Sequence, residues 1–449
     1  MSAELIIAMN EKGGIGHNGY LPWLCKEELN VFKQKTLGKT LVVGRKTACS
    51  LPKLIDRKII CMTRDVSLNT TEWKNEVTII NNLDSLKDFK DIMIAGGNEI
   101  YELALKHPSL VNRVHISIVK GDHKCDTYFS FECLKNFVII EETRFKEFTH
   151  YILIRTNELY NENQYLDLLR NILSTGERRD CRNGDTLSLF KSDMKFDLRI
   201  GFPLLTSKKM FLRGILEEIL FFLRGDTDTT ILSEKGIKIW EGNTSENFIC
   251  STGLSYAKGV MGPMYGYQWR FFNASYEIDK EGYPLEPRGG VDQLADVVNL
   301  IKTDPTSRRI LMTSYNPAQS RLGVLYPCHS ITIQFYVNDC MLDMFCYNRS
   351  QDAFLGVPFN IASSALLLMI VSKLTSKIPR FLYMTMGDTH IYSSHIEQVK
   401  TQLKRIPYVF PKLLIPDIQS IEDIKKLEAK DFILSNYQFH PSIKAEMVA

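Results

Sequence analysis

Three short apolar runs among the first hundred residues each end just before a predicted helix. They cover residues 40–44, 58–62 and 92–95, and each is followed by a glycine, a hydroxyl side chain or an arginine. Backbone N–H groups at a helix N-terminus bind phosphate, and such side chains and turns add further donors. Each motif is weak by itself, but their order predicts a site for a ligand with several phosphates.

A glycine-rich loop precedes these runs. Residues 14–19 have the spacing G-x-G-x-x-G that is typical of dinucleotide-binding turns. That interpretation requires the glycines to open a helix directly. Leu21, Pro22 and Trp23 intervene here, and a helix is predicted only from about Lys26. We therefore predict a flexible loop.

The helix predicted from Lys26 carries an acid on an apolar face. Glu28 lies one turn from Phe32, so both side chains point to the same side, with Leu29 beside them. A carboxylate in this place suits a ligand that offers hydrogen-bond donors. The alternative is an acid that complements the helix dipole in the first turn, and Glu27 fits that alternative better than Glu28.

Residues 4 to about 155 resemble dihydrofolate reductase. The resemblance rests on motifs in family order: Gly-Ile-Gly with Leu-Pro-Trp at 14–23, Gly-Arg-Lys-Thr at 44–47, Gly-Gly with a tyrosine at 96–101, and Asp-Thr-Tyr-Phe at 126–129. It implies an α/β domain with a mixed sheet flanked by helices, and NADPH as the reductant.

The same resemblance implies roles for single residues. Glu28 would hold the pteridine ring and assist its protonation, Thr127 would support Glu28, and Arg57 would bind the glutamate carboxylate of the folate. Phe32 and Leu51 would pack on the folate. The residues implied for the nicotinamide and pteridine site are Ala8, Ile15 and Trp23. The other residues implied for NADPH are Arg45, Lys46, Thr47, Thr63, Arg64, Gly96, Gly97 and Tyr101.

One cysteine in the second half of the chain has an unusual set of neighbouring residues. Pro327 and His329 flank Cys328, a β-type run follows at 330–337, and Arg349 comes from the next predicted strand. A nearby cation lowers the pKa of a thiol and favours the nucleophilic thiolate. A lone cysteine is usually a small buried apolar residue instead. The residues by themselves leave both interpretations open.

Other polar residues of this half suggest a pocket for a nucleoside monophosphate. Glu218 lies in an otherwise apolar helix, where an acid is either paired or functional because an unpaired buried carboxylate is costly. Arg308 and Arg309 are adjacent cations that suit an oxyanion, with a solvated helix start as the alternative. Asn360 offers an acceptor and a donor, as the imide edge of a pyrimidine requires.

Residues 164–449 resemble thymidylate synthase in the order of these motifs. The resemblance implies an α+β domain that dimerises through its sheet, in which Cys328 attacks carbon 6 of the uracil of dUMP and methylene tetrahydrofolate donates the one-carbon unit. The residues implied for proton transfer and for polarising the ring carbonyl are Glu218, His329, Tyr265 and Asn360. Those implied for dUMP are Arg349, Ser350, Asp352, Asn360, His390 and Tyr392, with Arg308 and Arg309 of a partner subunit. Those implied for the folate are Trp240, Asn243 and Asp352.

One segment departs from the synthase pattern. The family motif is Asp-Arg-Thr-Gly-x-Gly-Thr, whose arginine binds the phosphate, and residues 180–186 replace it here. An ungapped alignment through Thr186 puts Cys181 at the arginine position, and cysteine cannot replace a bidentate phosphate donor. Either the loop is re-registered so that Arg182 binds dUMP, or the site is weakened.

Composition limits the other possibilities. A chain of 449 residues exceeds one ordinary domain, and we expect domains at 1–155 and 164–449 with a short linker at 156–163. The net charge of +3 gives no argument for DNA or an anionic membrane. The ten cysteines show no metal-type spacing, the N-terminus lacks a signal pattern, and the most apolar run, 365–371, is far shorter than the roughly 20 residues of a membrane span. We expect a buried helix there and a cytoplasmic enzyme without metal.

The two resemblances together cover nearly the whole chain and match the bifunctional reductase–synthase enzymes of protists and plants. They imply NADPH, dUMP, methylene tetrahydrofolate and dihydrofolate as ligands, and a homodimer built on the synthase domain. Two alternatives remain. One is a pyrimidine hydroxymethylase on the same scaffold, although a cytosine-specific form would want an acid at Asn360. The other is a scaffold or RNA-binding protein with one decayed half, motivated by Ala48, where the reductases usually have tryptophan, and by Cys181.

Overall fold

Two separate sheets organise the chain. The computed structural model describes residues 3–65, 67–107, 109–156, 161–181 and 184–448. One compact unit contains residues up to 157 together with 406–408, and the other contains residues 158–405 and 409–449. Each unit has its own hydrophobic core.

The first unit is built on an eight-stranded mixed sheet with a small extra hairpin. Its strands are β1 (Ala3–Asn10), β2 (Gly14–Gly16), β3 (Thr40–Gly44), β4 (Lys58–Met62), β5 (Val77–Ile80), β6 (Ile92–Gly96), β7 (Val111–Val119), β8 (Thr127–Tyr128), β9 (Phe137–Arg144) and β10 (Phe148–Arg155). Its helices are α1 (Lys26–Thr36), α2 (Arg45–Ser50) and α3 (Asn98–Lys106). The sheet order is β5-β4-β3-β6-β1-β7-β10-β9, and β2 pairs with β8.

The six strands β5, β4, β3, β6, β1 and β7, in sheet order, are parallel to one another, and β10 is antiparallel to β7 and β9. Central strands such as β3 are apolar along their length, with Leu41, Val42 and Val43 fully buried, because parallel sheets are usually covered on both faces. Parallel strands end at one edge, so β3 and β6 deliver the starts of α2 and α3 side by side. The predicted mixed sheet is confirmed.

The second unit is built on a six-stranded sheet. Its strands are β11 (Glu177–Cys181), β12 (Gly184–Asp197), β13 (Leu311–Thr313), β14 (Thr332–Asn338), β15 (Met341–Asp352), β16 (Ile378–Tyr392), β17 (Lys412–Leu414) and β18 (Ile433–Ser435). Its helices are α4 (Asn163–Thr175), α5 (Leu212–Arg224), α6 (Thr230–Glu234), α7 (Glu246–Thr252), α8 (Gly266–Phe271), α9 (Gln293–Thr303), α10 (Gly356–Leu374), α11 (Ile396–Leu403) and α12 (Ile421–Ile424). The sheet order is β11-β12-β16-β15-β14-β13, and β17 and β18 form a separate pair.

Helix α10 connects β15 to the parallel strand β16, because parallel neighbours need a long crossover. It is apolar all round, and a helix of this kind belongs in a core. Among the described residues it is the one helix long and apolar enough to cross a membrane, but 78% of its most apolar stretch is buried inside the fold. The expectation of a buried helix around residues 365–371 is therefore confirmed.

Candidate active sites

Glu28 is a buried acid of the first unit. It lies on the inner face of α1, 3% exposed. Burial raises the pKa of its carboxyl group, while a hydrogen bond from Ser117 on β7 opposes the rise. Because desolvation disfavours the charged form, this carboxyl group retains its proton to higher pH than an exposed glutamate does.

A row of polar side chains continues from Ser117 across the sheet. The Ser117 hydroxyl lies 3.2 Å from His150 Nδ1, the ring of His150 stacks on that of His115 at 5.7 Å, and His115 Nε2 lies 3.2 Å from a Glu4 oxygen. Burial lowers the pKa of His150 to about 4, and also lowers that of His115 although Glu4 opposes the change. Both imidazoles are therefore neutral near pH 7.

Arg57 is held against the end of α1. Its Nε donates to Thr36 Oγ1 at 3.0 Å, and its terminal nitrogens donate to the carbonyl groups of Ile55 at 2.7 Å and Lys33 at 3.0 Å. The carbonyl groups of a helix C-terminus attract cations. These bonds fix the guanidinium of Arg57 at the same helix that carries Glu28.

The apolar residues predicted around the ligands lie in this unit without being fully enclosed. Phe32 on α1 is partly buried and packs against Ile6, Leu41 and Met93. The half-buried residues are Ala8, Ile15, Trp23 and Leu51. Helix α1 begins at Lys26, and residues 14–16 instead form the hairpin strand β2. The prediction that these glycines do not form a dinucleotide-binding turn is confirmed, but residues 14–16 form a short strand and not the predicted flexible loop.

Two glycines form a narrow cradle where α2 and α3 begin. A Cβ on Gly97 would stand 3.4 Å from Thr47 Oγ1, and one on Gly96 would stand 3.2 Å from the Tyr101 hydroxyl. Tyr101 is itself fixed, because its hydroxyl donates to the Ile6 carbonyl at 2.8 Å. A side chain at either glycine would fill the space that a phosphate needs beside the helix N-termini.

Three cationic side chains follow the ends of β3 and β4. Arg45 and Lys46 open α2, and Thr63 and Arg64 follow β4. The three cations are exposed, and no ion pair joins them to another residue in the described part of the chain. Free cations and a glycine cradle at helix N-termini fit the phosphates of a dinucleotide. The residues present therefore fit NADPH.

In the second unit, Cys328 lies against Tyr265. The Tyr265 hydroxyl lies 3.5 Å from Cys328 Sγ and accepts the Cys328 backbone N–H at 3.2 Å. The ring of His329 stacks on Tyr265 at 4.5 Å, and burial lowers the pKa of His329 to about 4. Tyr265 has a φ of 41° and Ser330 a φ of 50°, a conformation that costs energy for residues other than glycine and is concentrated at functional sites.

Arg349 returns from β15 to the backbone that precedes the cysteine. Its Nε donates to the Pro327 carbonyl at 2.8 Å, and a terminal nitrogen donates to the Tyr326 carbonyl at 3.0 Å. Its backbone N–H donates to the Cys328 carbonyl at 2.9 Å. Arg349 therefore fixes the course of the chain into Cys328, and the exposed residue retains further N–H donors.

The two adjacent acids of α5 differ in their surroundings. Glu217 accepts from Lys235 Nζ at 2.7 Å, so it is the paired acid of the two. Glu218 faces aromatic rings, and its one described partner is the indole N–H of Trp240, at 2.9 Å. Burial raises the pKa of Glu218 to about 7 against the effect of Trp240.

Asn360 lies near the start of α10, buried beside the end of β15. Its Nδ2 donates to Gln351 Oε1 at 2.7 Å, and Gln351 Nε2 donates to the Ser350 carbonyl at 2.9 Å. Asp352 forms the turn between strand and helix, because its Oδ1 accepts the backbone N–H groups of Phe354 at 2.8 Å and Leu355 at 3.2 Å. This turn brings residues 350–352 to Asn360.

Paired strands bring several of the residues implied for dUMP to the same place. His390 on β16 is opposite Asp352 on β15 and opposite Ser188 on β12. Its Nδ1 lies 2.9 Å from Asp388 Oδ1, which also accepts from the Ser188 hydroxyl. The ring of Tyr392 lies 5.1 Å from that of His390. Asp352, His390 and Tyr392 therefore form one group.

The other predicted residues are less enclosed. Arg308 and Arg309 are exposed, with no ion pair to any residue that the structure describes, and Asn243 is half-buried before α7. Cys181 is exposed and pairs with Gly184 across the β11–β12 hairpin. Arg182 lies between these two residues and outside the described part of the chain.

Comparison with known proteins matches each unit to a family. The profile of the dihydrofolate reductase family matches residues 2–156, and that of the thymidylate synthase family matches residues 163–449. The bifunctional dihydrofolate reductase-thymidylate synthase of Paramecium tetraurelia is 36% identical over 99% of this chain and 98% of that protein. One from Arabidopsis thaliana is 34% identical over 99% of this chain and 88% of that protein.

The chain belongs to the bifunctional dihydrofolate reductase-thymidylate synthase family. A shorter relative supports the second unit alone: the thymidylate synthase of Equine herpesvirus 2 is 46% identical over 64% of this chain and 98% of that protein.

One role expected from the reductase family is wrong in detail. Thr127 does not support Glu28. It lies exposed on the β2–β8 hairpin, where its hydroxyl donates to Asp126 at 2.9 Å. Ser117 on β7 takes that place, because its side chain forms a hydrogen bond with Glu28. The alternation of side chains along β7 places His115 and Ser117 on one face, and this pattern was the available signal.

Two further residues at the bifunctional family's sites were missed. His150 contacts Ser117 only because β10 pairs with β7, with His150 directly opposite Ser117. Gln351 was not among the predicted site residues, but its side chain accepts a hydrogen bond from Asn360. No short motif indicates the contact of His150 with Ser117 or that of Gln351 with Asn360, since both contacts depend on how separate elements pack.

Proposed function

We infer that this chain catalyses both reactions of its family. One unit reduces dihydrofolate to tetrahydrofolate with NADPH, and the other converts dUMP to dTMP with methylene tetrahydrofolate. The second reaction yields dihydrofolate, so the first regenerates the folate that the second consumes. This inference rests on the match of the chain to both families along its length. Each unit also has a buried acid.

Separate assays of the purified chain test the two halves of this inference. NADPH oxidation with added dihydrofolate reports the reductase, and dTMP formation with added methylene tetrahydrofolate reports the synthase. We expect both activities. Absence of either one would refute that half and would favour the alternative of a decayed domain. Ala48, which motivated that alternative, is buried against Val43, Ile59 and Cys61 in a small apolar cluster, so the short side chain is part of a packed core.

In the reductase unit, NADPH supplies a hydride when it is bound. Thr47, Thr63, Gly96, Gly97 and Tyr101 would surround its phosphates, with Arg45, Lys46 and Arg64 as the cations. Ala8, Ile15 and Trp23 would line the nicotinamide and pteridine site. Glu28 would bind the pteridine and donate the proton that accompanies hydride transfer, since its raised pKa keeps a proton available. Phe32, Leu51 and Arg57 would hold the remainder of the folate.

In the synthase unit, Cys328 would form a bond from Sγ to carbon 6 of the uracil ring. The electron pair of the ring double bond would move to carbon 5 and onto the O4 carbonyl. Asn360 would donate to O4, and Glu218, Tyr265 and His329 would arrange the proton transfers. A group with a pKa of about 7 is present in both states near neutral pH and can take up or release a proton. The folate, bound by Trp240, Asn243 and Asp352, supplies the one-carbon unit and its reducing equivalents.

The dUMP phosphate would be held by Arg349, Ser350 and Arg182, and the ribose by His390 and Tyr392. Arg182 directly follows Cys181, which stands at the place of the family's phosphate-binding arginine in an ungapped alignment, and this closeness in sequence supports the role. Replacing Arg182 with alanine should raise the Michaelis constant for dUMP. An unchanged constant would refute the re-registered loop.

We propose a homodimer formed through the sheet of the synthase unit, as the family resemblance implied. One face of that sheet exposes large apolar side chains, with Phe345 37%, Tyr336 64% and Ile378 47% exposed. A cavity of about 410 Å³ on the same sheet is lined in part by Met194, Phe345 and Tyr383. Exposed apolar patches of this kind mark interaction surfaces. The solution mass should be twice the 51.6 kDa of one chain.

In such a dimer, Arg308 and Arg309 of one subunit would bind the phosphate in the site of the other. A mixture of a Cys328→Ser chain and an Arg308→Ala/Arg309→Ala chain tests this directly, because hybrid dimers contain one site with every group intact. Synthase activity should return on mixing. The control is to show that the two variants exchange subunits. If they do and the mixture is still as inactive as each variant alone, the two arginines do not act in the site of the partner subunit.

We further propose domains at 1–155 and 164–449 joined by a linker at 156–163, and a cytoplasmic location. The family matches end at residue 156 and begin again at residue 163, which supports the boundary. The ten cysteines are free thiols, as expected in a reducing compartment. Limited proteolysis tests the linker, and fractionation of cells that express the chain tests the location.

A further inference from the structure

Two buried amides at the pyrimidine pocket are joined in a fixed order. Asn360 is 9% exposed and Gln351 is 2% exposed. Asn360 Nδ2 donates to Gln351 Oε1 at 2.7 Å, and Gln351 Nε2 donates to the backbone carbonyl of Ser350 at 2.9 Å. Ser350 is itself held in the sheet, because β15 pairs with β16 at this point.

The Ser350 carbonyl at the end of this series of hydrogen bonds determines which atom donates and which accepts at each step. A backbone carbonyl only accepts hydrogen bonds, so Gln351 must present its amide nitrogen to Ser350 and its oxygen to Asn360. Asn360 must then present Nδ2 to Gln351. An amide flip at either residue would set oxygen against oxygen or nitrogen against nitrogen. The backbone of Ser350 therefore fixes which way Asn360 points.

The remaining groups of Asn360 are left for a ligand. Its Oδ1 accepts no hydrogen bond from the residues that the structure describes, and it is not enclosed. The neighbouring buried amide cannot take over, because Asn348 Oδ1 accepts the Ser330 backbone N–H at 2.8 Å. Asn360 thus offers one acceptor and one remaining N–H donor in a fixed arrangement.

This arrangement distinguishes two pyrimidines. Uracil presents a donor at N3 and an acceptor at O4, whereas cytosine presents an acceptor at N3 and a donor at N4. An asparagine in one orientation matches uracil, and the same asparagine after a flip matches cytosine. An amide that is free to flip would therefore accept both bases. We propose that Gln351 is a positioning residue that fixes the orientation of Asn360 and so makes the site select uracil over cytosine nucleotides.

The proposal rests on the proposed contact between Asn360 and the base. Its test compares the dissociation constants of dUMP and dCMP for the full chain and for Gln351→Met, which has similar length but no polar atom to hold Asn360. A site built around hydrogen bonds can reject the wrong partner by about 10⁴-fold or more. We expect the preference for dUMP over dCMP to fall by at least about tenfold in Gln351→Met.

Two variants separate positioning from simple damage. In Gln351→Glu, burial favours the protonated acid, whose O–H can donate to the Ser350 carbonyl while its other oxygen accepts from Asn360, so the preference for dUMP should be close to that of the unaltered chain. Gln402→Met removes another fully buried amide of this unit, one that donates to the Ser207 hydroxyl at 2.7 Å. It should leave the ratio of the two dissociation constants unchanged. If Gln351→Met does not fold, Gln351→Leu takes its place with the same expectation.

Asn360→Ala tells the two possible failures apart. If its ratio of dissociation constants equals that of the unaltered chain, the proposed contact of Asn360 with the base is wrong. If Asn360→Ala loses the preference while both apolar Gln351 variants retain it, Asn360 reads the base but Gln351 does not position it, and this inference is overturned.

Discussion

The two units each bury a glutamate on a helix, but they satisfy it with different partners. Glu28 is bonded to the hydroxyl of Ser117, and Glu218 to the indole N–H of Trp240. A hydroxyl group can donate to a carboxylate or accept from a carboxylic acid, whereas an indole N–H only donates. Glu28 therefore keeps a matched partner in both protonation states.

The residues around Glu28 and Glu218 add to this difference between the two acids. Behind Ser117 lies the neutral imidazole of His150, 3.2 Å away, so the direction of the hydrogen bonds can reverse when Glu28 gains or loses its proton. Around Glu218 lie aromatic rings, with Trp240 6.0 Å from Tyr265. In the proposed mechanism, the reductase site would deliver a proton from Glu28. The synthase site holds Glu218 near the middle of its titration at neutral pH, and Cys328 would carry out the covalent step.

Loss of the nucleophile should produce the largest difference between the activities of the two units. Cys328→Ser replaces the thiol by a hydroxyl of far higher pKa, and we expect the kcat of the synthase to fall by at least about 10⁴-fold. The kcat of the reductase should stay within twofold, because Cys328 belongs to the other unit. Measurable dTMP formation at even a tenth of the original rate would exclude Cys328 as the nucleophile.

Removing the acid of the first unit should give the reverse pattern. Glu28→Gln retains the shape of the side chain but cannot donate a proton, and a lost general acid costs about 10²- to 10⁴-fold. Reductase turnover at pH 7 should fall within that range, with dTMP formation unaffected. A reductase that keeps its rate and its pH profile would show that Glu28 does not supply the proton.

The acid of the second unit should also affect stability. The pKa of Glu218 is about 7 in the folded chain and near 4.5 when exposed, so the folded state binds the proton more tightly. Stability is then lost as pH rises from about 4.5 to about 7, on the order of 3 kcal/mol at about 1.4 kcal/mol per pKa unit. Glu218→Gln should remove most of this loss while strongly reducing synthase activity. Two results together would contradict this account. The unaltered chain and Glu218→Gln would have equal thermal midpoints at pH 8, and the unaltered chain would be no more stable at pH 5 than at pH 8.

The histidine behind Ser117 should affect stability with the sign opposite to that of Glu218. The folded pKa of His150 is about 4, against 6.5 when exposed, because of burial and the nearby His115 and Lys35. The unfolded chain therefore binds the proton first, and stability of the first unit is lost as pH falls from about 6.5 to about 4. His150→Phe should weaken this acid sensitivity in thermal unfolding followed between pH 4 and 7. An unaltered pH dependence would show that His150 does not contribute.

Some of these features follow from sequence and others do not. The mixed sheet, the buried acid Glu28 and the strand that follows Cys328 were predictable, because each depends on local periodicity or on a motif. Glu217 and Glu218 are neighbours in sequence, and only the packing of α5 shows that Glu217 meets Lys235 while Glu218 meets Trp240. Ser117 and Gln351 act through contacts between distant elements, which no local pattern encodes.

The most direct test of two sites on one chain is a single reaction with dUMP, methylene tetrahydrofolate and NADPH and no added dihydrofolate. NADPH oxidation should then equal dTMP formation, because the synthase unit is the source of the reductase substrate. In Cys328→Ser both should stop, and added dihydrofolate should restore NADPH oxidation alone. Formation of dTMP without oxidation of NADPH, or oxidation that persists in Cys328→Ser without added dihydrofolate, would contradict the account.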